Sequence, residues 1–86
     1  MLNGKTESGF EYTINENIAK DHITLKFLAK MVTDPTAVFN LIDRMVELGL
    51  DEPKLYEHCK AEDGIVPIDK VTKEVTEIIQ NVSKNS

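Results

Sequence analysis

The sequence predicts a mainly α, small single domain of about four amphipathic helices behind a short extended or β N-terminal arm. Three observations predict it. The chain has 86 residues, which is room for one core, since domains run to about 100–150 residues. Apolar residues recur at helical spacing in four stretches, separated by stop and start signals at Asp34-Pro35, Gly49 to Pro53 and Asp63 to Pro67. Ahead of them one short stretch alternates apolar and polar, the period of a half-buried strand.

Taken in order, residues 1–9 hold Gly4 and Gly9 among small polar residues and are expected to be a flexible N-terminal segment. Phe10-Glu11-Tyr12-Thr13-Ile14 is the alternating stretch, either a short strand or an extended arm lying on the helices. Asn15 to Lys20 is a turn or a single helical turn. The helical domain is expected over residues 10–82, with a frayed tail at 83–86.

Helix one begins at Asp21, a good N-cap, and runs to about Val32. Ile23, Phe27 and Met31 repeat along one face, Leu28 and Val32 fill the adjoining ridge, and Lys26 and Lys30 point away. Asp34 caps helix two and Pro35 takes its first position, where a missing N–H costs nothing. That helix ends near Leu48, with Gly49 in the left-handed position. Val38, Leu41, Ile42, Met45 and Leu48 form its stripe, and Phe39 and Val46 widen it. A stripe so broad predicts burial on two sides and a central place. Asp43, Arg44 and Glu47 mark its wet face.

Asp51-Glu52-Pro53 opens helix three, which runs to about Ala61 and buries Leu55, Tyr56 and Cys59. Glu62-Asp63-Gly64 is a turn after which Ile65 and Val66 fold back onto the helices. The last helix starts at Pro67 or is capped by Asp69. Val71, Val75, Ile78 and Val82 make its stripe beside Ile79, with Lys70, Lys73, Glu74, Glu77 and Gln80 on the other face.

Charge narrows the function. Ten Lys and Arg against 15 Asp and Glu give a net charge of −5, and the Lys residues do not cluster into a basic face that would neutralise a phosphate backbone, which speaks against a dedicated nucleic-acid binder. No apolar run approaches the roughly 20 residues that cross a bilayer, and the amino terminus lacks a signal-peptide core. The one cysteine, Cys59, has no partner for an internal disulfide, so a reducing cytoplasm is expected.

The chemistry-bearing residues are sparse. His58 and Cys59 are adjacent, but neighbours on a helix point about 100° apart and do not form a catalytic pair. Cys59 falls on the Leu55 side and is read as a small buried apolar residue. Asp51, Glu52, Glu57, Glu62 and Asp63 are dense, yet Asp63-Gly64 is followed by Ile65, Val66 and Pro67, which breaks the spacing of a calcium loop. No phosphate-binding glycine loop or nucleophile elbow occurs. No catalytic, cofactor-binding or metal-binding residue is expected, and the protein is not expected to be an enzyme.

The order of these features resembles the small tail assembly chaperones of phages and prophages with long, non-contractile tails in Gram-positive bacteria. The resemblance runs from about Gly9 to Ser86. It rests on Gly9-Phe10-Glu11-Tyr12-Thr13-Ile14-Asn15, the leucine-rich Leu25 to Val32, the Asp34-Pro35 break and Glu47-Leu48-Gly49. A helix carrying Leu55 and Tyr56 follows, then Asp63-Gly64-Ile65-Val66-Pro67, an amphipathic helix ending in Glu77-Ile78, and Lys84-Asn85-Ser86.

The resemblance implies binding without chemistry. Such chaperones coat the helical tape measure protein, keep it soluble and help recruit tail tube subunits. They act in the host bacterial cytoplasm and leave before the mature virion. It also implies a possible longer form: Ser83-Lys84-Asn85 can be encoded by an A-rich heptamer on which ribosomes slip back.

The residues that suit an apolar partner are Phe39, Ile42, Val46, Val71, Val75, Ile78 and Val82. The partners expected are the tape measure protein, the major tail tube protein and a homo-oligomer, with no nucleic acid and no membrane. The alternative is a small cytoplasmic helical adaptor or regulator that dimerises through helix four, its Val71, Val75, Ile78 and Val82 acting as a short coiled-coil seam.

Overall fold

A computed structural model describes residues 1–84. Among them a two-stranded antiparallel hairpin, β1 (Leu2–Lys5) and β2 (Glu11–Ile14), precedes a 3-10 turn at Ile18–Lys20 and four α-helices. The helices are α1 (His22–Lys30), α2 (Ala37–Glu47), α3 (Glu52–Cys59) and α4 (Ile68–Lys84). The radius of gyration is 12.1 Å, close to the ~12 Å expected of one compact unit of this length. The mainly α fold with a short β arm is therefore as expected.

The amino terminus corrects the expectation of a flexible segment. Leu2 pairs with Ile14, Asn3 with Thr13, Gly4 with Tyr12 and Lys5 with Glu11. Alternation on β2 buries Tyr12 and Ile14 while Glu11 and Thr13 stay exposed. Gly4 stands where the Tyr12 ring lies across the ladder, and a Cβ there would collide with that ring. At the tip, the Thr6 amide donates to the Phe10 carbonyl at 2.9 Å, and Gly9 takes a φ of +99° to close the loop. Thr6 and Phe10 are both buried.

Asp21 caps α1 as expected, accepting from the Thr24 amide at 2.9 Å and the Thr24 hydroxyl at 2.7 Å. Arg44 of α2 grips the same carboxylate with two parallel bonds, Nε to Oδ2 at 2.8 Å and Nη2 to Oδ1 at 2.9 Å. The Arg44 contact, then the Thr24 hydroxyl, hold the Asp21 carboxyl well below the usual carboxylate range. The buried face of α1 is rotated from the one expected. Thr24 is fully buried and Phe27, Leu28 and Met31 are half-buried, whereas Ile23, Leu25 and Val32 are exposed.

Helix α2 begins two residues later than expected. Asp34 and Pro35 build a preceding turn in which Asp34 Oδ1 accepts from the Thr36 amide and hydroxyl. Its end follows expectation: Gly49 has a φ of +115°, its amide donates to Val46, and the Leu50 amide donates to Met45 at 2.9 Å. The Asn15 amide bonds the Leu48 carbonyl at 2.8 Å, tying the hairpin to this corner.

Asp51 caps α3 through the Lys54 amide, and Leu55 and Cys59 are buried, with Tyr56 half-buried. The helix ends at Cys59, short of Ala61. Helix α4 starts at Ile68, its Val71 amide bonded to Pro67, so Asp69 lies inside the first turn. It runs through Lys84; the expectation for Asn85 and Ser86 lies outside the described residues.

The core joins the hairpin residues Phe10, Tyr12 and Ile14 to Ile18, to the inner stripes of α2 and α4, and to Leu50, Leu55 and Cys59. Helix α4 touches β1, the 3-10 turn and α3, while α1 packs on α2. The centre is thus shared between α2 and α4 and is not held by α2 alone.

Gly64 has the expected positive φ, +88°. Ile65 does not fold back as expected, however, and only Val66 packs against the core. No atom lies within 4 Å of a Cβ built on Gly64, so a side chain there meets backbone strain alone. Gly64→Val is expected to cost about 1–2 kcal/mol, seen as a lower melting temperature. An unchanged melting temperature would show that the turn relaxes to ordinary dihedrals.

Candidate functional site

An apolar groove lies where α2 meets the α3–α4 corner. Phe39 and Ile42 of α2, Tyr56 of α3, Val66 of the connection, and Ile68 and Val71 of α4 line its volume of about 380 Å³, with Val38 beneath. Val38, Ile42 and Val71 are buried and make the floor. Phe39 is 55% exposed and Ile68 44% exposed, so the walls stand in water. Val46, 39% exposed, continues the Phe39 and Ile42 face of α2 by one further helical step.

The rim is acidic. The Tyr56 hydroxyl donates to Glu52 Oε2 at 2.9 Å. Burial, the Glu52 bond and the nearby Glu52 and Asp43 charges together push the Tyr56 phenol up to about 12. Asp43 is exposed and lies between Phe39 and Val46 along α2.

The expected partner residues separate into two groups. Phe39, Ile42, Val46 and Val71 belong to this groove and its margin. Val75, Ile78 and Val82 do not reach the surface: they are 0%, 0% and 1% exposed, inside the core that α4 builds with its neighbours. The coiled-coil seam proposed for helix four is therefore filled by the chain's own hydrophobic residues. A thin domain has no other stripe on α4 with which to close its core.

Sequence reasoning missed the groove's second wall, Tyr56, Val66 and Ile68, which is assembled by the tertiary fold. It also missed a polar cluster under the hairpin tip. Glu74, assigned to the wet face of helix four, is 4% exposed. Its Oε1 accepts from the Thr6 hydroxyl at 2.6 Å, and the Ser8 hydroxyl lies 3.0 Å from both carboxylate oxygens. His58 Nε2 lies 2.9 Å from Ser8 Oγ, and its ring packs against Phe10 with centroids 5.4 Å apart. The available signal was spacing, because Glu74 falls three residues after Val71 and four before Ile78, inside the buried stripe.

Chemically this cluster is a fastening. In a nucleophilic triad the carboxylate and the hydroxyl bind opposite nitrogens of the imidazole. Here Ser8 and Glu74 both approach Nε2, at 2.9 and 3.9 Å, and the hydroxyl bonds the carboxylate directly. Cys59, beside the cluster, is buried, and burial followed by the Glu74 charge pushes its thiol up, away from the reactive thiolate. Among the described residues no group of three or more His, Cys, Asp and Glu is placed to hold a metal ion. No described helix is long and apolar enough to cross a membrane.

No protein-family model matches the chain, and comparison with curated proteins and solved structures found no match.

Proposed function

We propose that the chain is a non-enzymatic tail assembly chaperone of a long-tailed phage or prophage. In this reading it binds the tape measure protein in the host bacterial cytoplasm, keeps it soluble, helps recruit tail tube subunits, and is absent from the mature virion. The observation that carries the reading is the groove, an apolar site whose Phe39 and Ile68 walls stand exposed on a small domain. Exposed apolar surface of this kind suits capture of another protein's apolar stripe. The net charge of −5 suits a coat that must remain soluble at high local density. The order of sequence features that resembles the chaperones supplies the identity of the client.

Co-expression tests it. A candidate tape measure protein co-expressed with the chain is expected to move from the pellet to the soluble fraction. A tape measure protein equally insoluble with and without it would overturn the reading.

A further inference from the structure

We infer that the groove between α2 and the α3–α4 corner takes one face of an amphipathic helix whose apolar stripe is flanked by Lys or Arg. This rests on the client-binding reading above and names the chemistry that the site selects.

The apolar half of the inference comes from the lining. The floor is made by Val38, Ile42 and Val71, and the exposed walls by Phe39 and Ile68. Phe39, Ile42 and Val46 lie at i, i+3 and i+7 on α2, so the exposed face extends for two turns, the span over which a docked helix presents its own anchors. A helix satisfies its backbone hydrogen bonds internally. An extended segment would need a free strand edge beside the groove, and its walls are helices and the α3–α4 connection.

The basic half comes from where the charges lie. Glu52 accepts from the Tyr56 hydroxyl at the groove wall, and exposed Asp43, on α2 between Phe39 and Val46, is near enough for its charge to act on the same phenol. The nearby cations are turned elsewhere. Arg44 is engaged with Asp21, and Lys60 with Glu57 at 3.0 Å. Lys54 stands 6.0 Å from the Phe10 ring centroid, and Lys70 and Lys73 line the cleft with Ser8 and Glu74. The same pattern disfavours a second copy of the chain. A two-fold dimer through this groove would bring two Asp43 and Glu52 rims together, each on a chain of net charge −5. Lys or Arg on the partner's flanks meets those carboxylates, while the apolar contact supplies most of the affinity.

Three synthetic peptides of about 20 residues, long enough to hold a helix, test the inference by titration calorimetry and methyl chemical shifts. One has a leucine stripe with lysine flanks, the second the same stripe with glutamate flanks, and the third the lysine peptide with its stripe scrambled. The lysine-flanked peptide is expected to bind at least about tenfold more tightly than either control, with shifts at Ile42, Val66, Ile68 and Val71. Phe39→Ala and Ile68→Ala, both at exposed positions, should each weaken it by about tenfold. Asp43→Lys should move the preference toward the glutamate-flanked peptide.

Equal binding of the scrambled peptide, shifts that map elsewhere, or no binding would overturn the assignment. So would concentration-dependent dimerisation of the free chain that moves these same methyls, which would give the groove to a second copy. The two readings fail separately. A tape measure protein left insoluble while the lysine-flanked peptide still occupies the groove overturns only the tail-chaperone function. A solubilised tape measure protein with no peptide in the groove overturns only this site.

Discussion

Ile78→Ala is expected to remove about 2–5 kcal/mol of stability, the usual cost of deleting a buried branched side chain and leaving its space unfilled. Ile78 is 0% exposed and sits between Val75 and Val82 at the heart of the α4 stripe. Single domains are stable by only about 5–15 kcal/mol, so the loss is a large fraction of the total. At about 4–8 °C per kcal/mol for a domain of this size, the melting temperature should fall by about 8 °C or more. The fall should be the same at low and high protein concentration, since the side chain packs within one chain. A melting temperature that depends on concentration in the parent and loses that dependence in Ile78→Ala would instead place the residue at a dimer seam. Ile78→Val, which removes one methyl group, should cost about 0.5–1.5 kcal/mol and keep the same concentration independence.

What could be read from the sequence was local. Asp21 and Asp51 each cap a helix because a carboxylate three residues ahead of a free amide is a contact within one turn. Gly49 and Gly64 take positive φ for reasons equally confined to their own turns. The α4 stripe was legible because its spacing alone decides which residues share a face. The strand β1 was not, since Leu2-Asn3-Gly4-Lys5 carries one large apolar residue and becomes a strand only by pairing with β2. On α1 the stripe through Ile23 competed with one through Thr24, Phe27, Leu28 and Met31. The second was chosen because Asp21 binds the Thr24 hydroxyl and Arg44 together, which turns Thr24 inward. At the candidate site, Phe39 and Val46 stood out as more apolar width than one neighbour could cover. Tyr56, Val66 and Ile68 did not, because their convergence on Phe39 is a product of how three helices close.

The second large effect is expected at Glu74. Its carboxylate accepts from Thr6 across 68 residues of sequence and from Ser8 across 66, so it fastens the hairpin tip to α4. Thr6 is itself 4% exposed and also accepts from the Phe10 amide at 3.1 Å, which carries the fastening into the loop that orients the buried Phe10 ring. Glu74→Ala takes away a charged acceptor shared by two hydroxyls. Hydrogen bonds to charged groups contribute about 1.5–3 kcal/mol each, and a buried donor left without a partner costs about 1–3 kcal/mol. A loss of about 2–4 kcal/mol is therefore expected, less than the sum of the separate terms because Ser8 lies at the surface and can turn to water. Glu74→Gln retains an amide oxygen for Thr6 and should lose about half as much. Hydrogen exchange separates this fastening from general core damage: the Gly9 and Phe10 amides at the tip should exchange faster in Glu74→Ala by more than the global loss explains. The α2 amides of Leu41 and Met45 should follow the global stability alone. Tip amides that keep pace with α2 would show that the hairpin is held by Tyr12 and Ile14 and that the carboxylate contributes nothing to its closure.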